Sequence, residues 1–95
     1  MTAPIETIRL RITGQVQGVG YRLWMTRTAA SLGLRGWVRN RMNGSVEALV
    51  TGAPKAVATF IEASRKGPIG AQVRDVTLTP DKDDGSVGFV SRPTE

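Results

Sequence analysis

The run Gly14-Gln15-Val16-Gln17-Gly18-Val19-Gly20-Tyr21-Arg22 constrains this chain more than any other stretch. Before it, Ile8, Leu10 and Ile12 alternate with Arg9, Arg11 and Thr13, the period of a strand with one apolar and one basic face. After it, Tyr21, Trp24, Met25, Thr28, Ala29 and Leu32 recur at helical spacing, and Gly33 supplies a C-terminal stop. The run therefore turns a strand into a helix. Glycines there accept positive φ and let a ligand approach the amides. The first N–H groups of a helix have no partner inside it, and its dipole adds positive charge at that end. Such a turn suits an anion. Arg22 lies off the apolar stripe, in the first turn, with a fixed charge and a planar fork of donors that fits a phosphate. The plain alternative is a tight turn whose glycines only set chain direction, with Arg22 a solvated surface charge.

Two other phosphate loops fail on spacing. A dinucleotide fingerprint needs a glycine three residues after Gly20, where Leu23 stands. A Walker A loop from Gly14 needs Gly-Lys where Val19-Gly20 stands.

The chain has neither cysteine nor histidine. This removes disulfides, a thiol nucleophile, thiolate metal sites, the usual general base and the commonest zinc ligand. Chemistry must then run on arginine, amides, carboxylates or hydroxyls. The net charge of +5 favours an anionic partner, a phosphorylated small molecule or a nucleic acid. Ninety-five residues predict a single domain over 1–95. No window is apolar enough to span a membrane, and Met1-Thr2-Ala3-Pro4 begins no signal peptide, so a cytoplasmic protein is expected.

Leu34 to Asn40 predicts a second strand, and Val46, Ala48 and Val50 mark a third. A two-residue Asn43-Gly44 turn would set Val38 opposite Leu49, away from the valines. A longer loop over Arg41 to Gly44, with Gly44 left-handed, gathers the apolar residues on one face and is preferred. Asn40 then ends its strand on that face, either as a hydrogen bonder for the loop or as a positioned polar group. Pro54 opens a second helix with Val57, Phe60, Ile61 and Ser64 inward, and Gly67-Pro68 closes it. Val73 to Leu78 predicts a fourth strand, and Val87 and Phe89 a short final one at the sheet edge. Asp81, Asp83 and Asp84 do not make a calcium loop, because Gly85 and Arg92 fill ligand positions. The order is that of an α+β, ferredoxin-like split βαβ sandwich (βαββαβ): an antiparallel sheet with two helices on one face.

The run from Gly14 to Arg22 resembles the acylphosphatase signature Gly-x-Val-Gln-Gly-Val-x-(Phe/Tyr)-Arg. Gly33-Leu34-Arg35-Gly36-Trp37-Val38-Arg39-Asn40, followed by Gly44-Ser45-Val46-Glu47, resembles that family's second motif, Gly-x-x-Gly-x-Val-(Arg/Lys)-Asn…Gly-x-Val. The resemblance runs from about Ile8 to Leu78, and the tail after Thr79 matches less well. It implies a ferredoxin-like fold and hydrolysis of the carboxyl–phosphate anhydride of an acyl phosphate, with inorganic phosphate or sulfate as product-like ligands. It implies that Arg22 binds phosphate and is catalytic, and that Asn40 positions the attacking water. The amides of Gln15, Val16, Gln17, Gly18, Val19, Gly20, Tyr21 and Arg22 would cradle the phosphate. No metal or organic cofactor is implied, and a monomer is expected.

Two other classes share this element order. An RNA-binding domain would use Arg9, Arg11, Trp37 and Arg39 on the open sheet face, but the RNP1-like start Arg35-Gly36-Trp37 breaks at Val38 and Arg39. A catalytically silent anion-sensing module is the other, since fold alone does not fix function.

Overall fold

The computed structural model describes residues 4–95; Met1-Thr2-Ala3, on which the signal-peptide expectation rests, lies outside them. The elements are β1 (Glu6–Gln15), α1 (Tyr21–Ser31), β2 (Arg35–Asn40), β3 (Val46–Gly52), α2 (Pro54–Lys66), β4 (Gln72–Pro80) and β5 (Phe89–Ser91). The sheet order is β4-β1-β3-β2-β5. β1 pairs antiparallel with β3 and β4, and β2 antiparallel with β3.

The expectation of a wholly antiparallel sheet is corrected at one edge. β5 runs parallel to β2, from Gly36↔Phe89 to Val38↔Ser91, so the sheet is mixed. The chain leaves β4 at the end of the sheet where β2 begins, since Pro80 lies opposite Ile8 and Arg35 opposite Thr51. A strand added there can only follow β2 in its own direction. Val87 takes no part and is exposed; the strand starts at Phe89.

The two helices share one core with the sheet. Leu10, Ile12, Val38, Val46, Ala48 and Val50 from the strands meet Tyr21, Met25 and Ala29 of α1 and Val57, Phe60 and Ile61 of α2. These positions follow the two periods, alternate along strands and three to four apart along helices. Val38 pairs with Ala48 and Asn40 with Val46, as the longer loop requires. Gly44 is left-handed at φ 93°, and the Asn43 carboxamide oxygen accepts from the Ser45 N–H at 3.0 Å.

The other sheet face is not an open basic platform. Trp37 is only 5% exposed. Arg39 and Arg92 each lie 4.9 Å from its ring centroid, and its Nε1–H donates to Asp84. Arg9 and Arg39 donate to the buried Glu47 carboxylate at 2.9 and 2.8 Å. Burial alone would raise the Glu47 pKa, but the Arg39 hydrogen bond and the charges of Arg39, Arg9 and Arg41 outweigh it and hold it below the ordinary value. The stacking surface that an RNA reading needs is therefore already covered.

Candidate active site

The topology brings the glycine run and Asn40 together. β1 and β2 both run antiparallel to β3 and flank it, so they end at the same end of the sheet. The run leaves β1 there, and Asn40 is the last residue of β2. A cleft of about 380 Å³ lies between them, lined by Val16, Gln17, Gly18, Arg22 and Asn40 among others.

Three side chains hold the loop. Val16 is 1% exposed and fixes the loop to the core. Tyr21, equally buried, starts α1 and donates its O–H to the Ser64 carbonyl at 2.6 Å. Burial pushes its phenol far above the usual range, outweighing that hydrogen bond, so Tyr21 is an anchor rather than an acid or base. Gln17 donates through Nε2 to the carbonyls of Arg41 and Ser45, both at 2.9 Å. Gly18 and Gly20 bend the chain between these anchors at φ 73° and 77°.

The bend leaves donors free. Gly20 is the N-cap of α1, with no side-chain capping bond and no acidic residue in the first turn. Among the described residues, no main-chain carbonyl accepts from the N–H groups of Val16 to Arg22 in this turn. These donors and the helix dipole give the loop a positive potential that no acidic side chain in the first turn of α1 offsets.

Arg22 lies at the cleft, half-buried, and forms no ion pair among the described residues. Its contact is a long one, Nη1 to the Arg92 carbonyl at 3.4 Å. Across the cleft, the Asn40 side-chain oxygen is buried with no hydrogen-bond partner. A buried acceptor left unpaired is costly, and such groups mark places where a water or ligand belongs. Asn40 does not tie the turn through this oxygen; Asn43 and Gln17 do that work.

Of the residues predicted for the site, Val16, Gln17, Gly18, Gly20, Tyr21, Arg22 and Asn40 line the cleft, while Gln15 and Val19 belong to the same run but are not part of its lining. Sequence reasoning missed the Gln17 side chain, whose acceptors lie 24 and 28 residues away. It also missed Leu23, Thr26 and Ser91, which complete the lining. No period or motif points to these three. Among the described residues, no group of histidine, cysteine or carboxylate side chains is placed to hold a metal ion.

The acylphosphatase family model matches residues 8–91, past Leu78 and through β5. A curated acylphosphatase of Rhodospirillum rubrum is 47% identical over 90 residues, covering 95% of this chain and 99% of its own. Among solved structures, an acylphosphatase from Bacillus subtilis superposes with TM-score 0.88 at 33% identity, covering 94% of this chain and 99% of its own. Another from Coxiella burnetii gives TM-score 0.89 at 30% identity and 93% coverage of both chains. Fold, motifs and full-length relatives agree: the chain belongs to the acylphosphatase family.

Proposed function

We propose that this chain hydrolyses acyl phosphates to a carboxylate and inorganic phosphate, with the phosphoryl group held by the 15–22 amides and Arg22 and the water held by Asn40. The observation that carries this assignment of roles is the buried, unpartnered Asn40 oxygen facing the same cleft as Arg22 and the uncapped start of α1.

Phosphoryl transfer spreads charge over the peripheral oxygens, so positioned donors supply most of the catalysis. The loop amides and Arg22 would donate hydrogen bonds to those oxygens. A water donating one hydrogen to the Asn40 oxygen would point a lone pair at phosphorus. As the water oxygen bonds to phosphorus, the bond to the acyl oxygen breaks and its electron pair leaves on the carboxylate. The water's proton passes to the phosphate or to solvent. A carboxylate is a weak base and leaves unprotonated, so the absence of histidine is no obstacle. A phosphomonoester expels a poor alkoxide and would want an acid that this site lacks. The chemistry asks for no metal or organic cofactor. Every residue used comes from one copy, which suits a monomeric catalytic unit spanning 1–95. A cytoplasmic setting agrees with a cysteine-free chain, and among the described residues no helix is long and apolar enough to cross a membrane.

Phosphate release from acetyl phosphate in EDTA tests the reading. Turnover is expected, with p-nitrophenyl phosphate a poor substrate. No release from acetyl phosphate would overturn it and favour a silent anion-binding module.

A further inference from the structure

A second cleft, of about 450 Å³, shares no lining residue with the first and takes no part in this chemistry. It is lined by Arg11, Thr13, Gly14, the Asn43–Ser45 turn and Arg74. Arg74 reaches it through a break in register. Thr13 opposes Asp75 and Gly14 opposes Val73, which leaves Arg74 as the extra residue of a bulge. Bulges re-aim side chains. Gly14 permits this one, with φ 120° and a backbone so close that a Cβ would lie 2.2 Å from the Gln72 carbonyl oxygen and 2.7 Å from the Arg74 nitrogen.

The groups facing this cleft are donors. Arg9, Arg39 and Arg41 all grip Glu47, whereas Arg11 and Arg74 form no ion pair among the described residues. The Asn43 carboxamide oxygen is taken by the N–H and hydroxyl of Ser45, which leaves its NH₂ free. No carboxylate lines the cleft. Asp75 follows Arg74 and opposes Thr13, yet pairs with neither arginine. Arg11 also borders the adjoining cleft and stands directly opposite Glu47 in the β1–β3 register, but that carboxylate is already taken by Arg9, Arg39 and Arg41. Two guanidinium groups bordering one cavity repel each other, and an anion between them removes that cost.

We propose that this cleft binds a small molecule carrying two adjacent phosphate groups, one on the fork of Arg11 and one on the fork of Arg74. Each fork matches one phosphate in a bidentate manner, and the space admits both. The site is separate from the catalytic cleft, and its occupant bridges β1, β4 and the Asn43–Ser45 turn.

The test is a ¹H–¹⁵N titration of the whole chain with inorganic pyrophosphate and, separately, with a nucleoside diphosphate. Amides of Thr13, Asn43, Gly44 and Arg74 are expected to follow a binding curve distinct from that of Gly18 to Arg22. Equal affinity for both probes assigns recognition to the diphosphate alone; tighter nucleotide binding adds a nucleoside contact. In the Arg11→Gln/Arg74→Gln variant that curve should weaken by about tenfold or more, the scale of a lost charge-assisted hydrogen bond. Turnover of acetyl phosphate, which also reports that the variant is folded, should stay within about twofold because neither Arg11 nor Arg74 lines the catalytic cleft. Shifts confined to Gly18–Arg22, or an unchanged curve in the variant, would overturn the proposal. The titration reads the site whether or not the chain turns over acyl phosphates.

Discussion

The Gln17 side chain donates to the main-chain carbonyl of Arg41 at 2.9 Å, and the same nitrogen serves the Ser45 carbonyl. A residue of the glycine run is thus tied to the turn that follows Asn40. One amide group thereby links the two segments that border the cleft.

Gln17→Ala leaves both carbonyls without that donor and frees the loop from the turn. Stability should fall by about 1 kcal/mol, the usual net worth of a partly buried hydrogen bond. The cradle amides would lose their fixed direction, so the inhibition constant for phosphate and the kcat/KM for acetyl phosphate should worsen together, by about tenfold. A melt and steady-state kinetics check both. Lowered stability with unchanged kinetics would show that the staple supports the fold and not the cradle.

Arg22→Lys keeps the charge and loses the fork. The kcat/KM for acetyl phosphate should fall by at least about 10²-fold, with weaker phosphate inhibition, on the scale of a lost transition-state donor. Near-full activity would remove the bidentate role.

Phosphate should also stabilise the fold, because the proposed cradle would bind it in the native state and not in the unfolded chain. At a hundred times its dissociation constant the gain should be about 2.7 kcal/mol. The check is a melt in phosphate against chloride at matched ionic strength. An unmoved Tm would argue against a preformed cradle.

The loop that carries the chain from β4 to β5 should be acid-sensitive. Arg35 grips Asp83 with both terminal nitrogens, and the Gly85 N–H adds a further bond. These hydrogen bonds, Arg35 first, push the Asp83 carboxyl down to about 2. An unfolded aspartate titrates near 3.9, so the folded value is depressed. The contribution is then complete above the unfolded value and is lost as the pH falls towards about 2. Melts from neutral to strongly acidic pH should show wild type losing more stability over that window than Asp83→Asn. Parallel curves would mean that the grip adds nothing to folding.

Local signals made most of this structure legible. The inward face of α2, Val57, Phe60, Ile61 and Ser64, is spelled by helical spacing and is buried as expected. The β2–β3 register followed from asking which loop length unites Val38 with the valines. What sequence could not reveal depends on partners far along the chain. The parallel pairing of β5 is decided by where β4 ends, and Trp37 is covered by Asp84 and Arg92, residues with no pattern of their own. At the site, Arg22 and Asn40 stood out through motif spacing. Gln17 stood there only as an amide, because its side chain's acceptors belong to a turn on the other side of the cleft.

The sharpest separation of binding from chemistry is at Asn40. Arg22 and the loop amides come from another segment and, in the proposed mechanism, would hold the phosphate without it. The Asn40 side-chain oxygen is buried and bonds nothing in the protein, so replacing it breaks no internal hydrogen bond made by that atom. Its main-chain carbonyl, which accepts from the Glu95 N–H at 3.1 Å, is kept by any substitution. Asn40→Ala should therefore leave Tm nearly unchanged and the phosphate inhibition constant within a few-fold. A positioned acceptor for the attacking water acts mainly on the transition state, so kcat should fall by about 10²-fold or more. Asn40→Asp should not restore it, because a carboxylate beside the bound phosphate adds repulsion. A loop-tying asparagine makes the opposite forecast, a loss of about 1 kcal/mol with kcat intact. Kinetics and a melt on Asn40→Ala decide between them, and intact turnover with lowered stability would take Asn40 out of the mechanism.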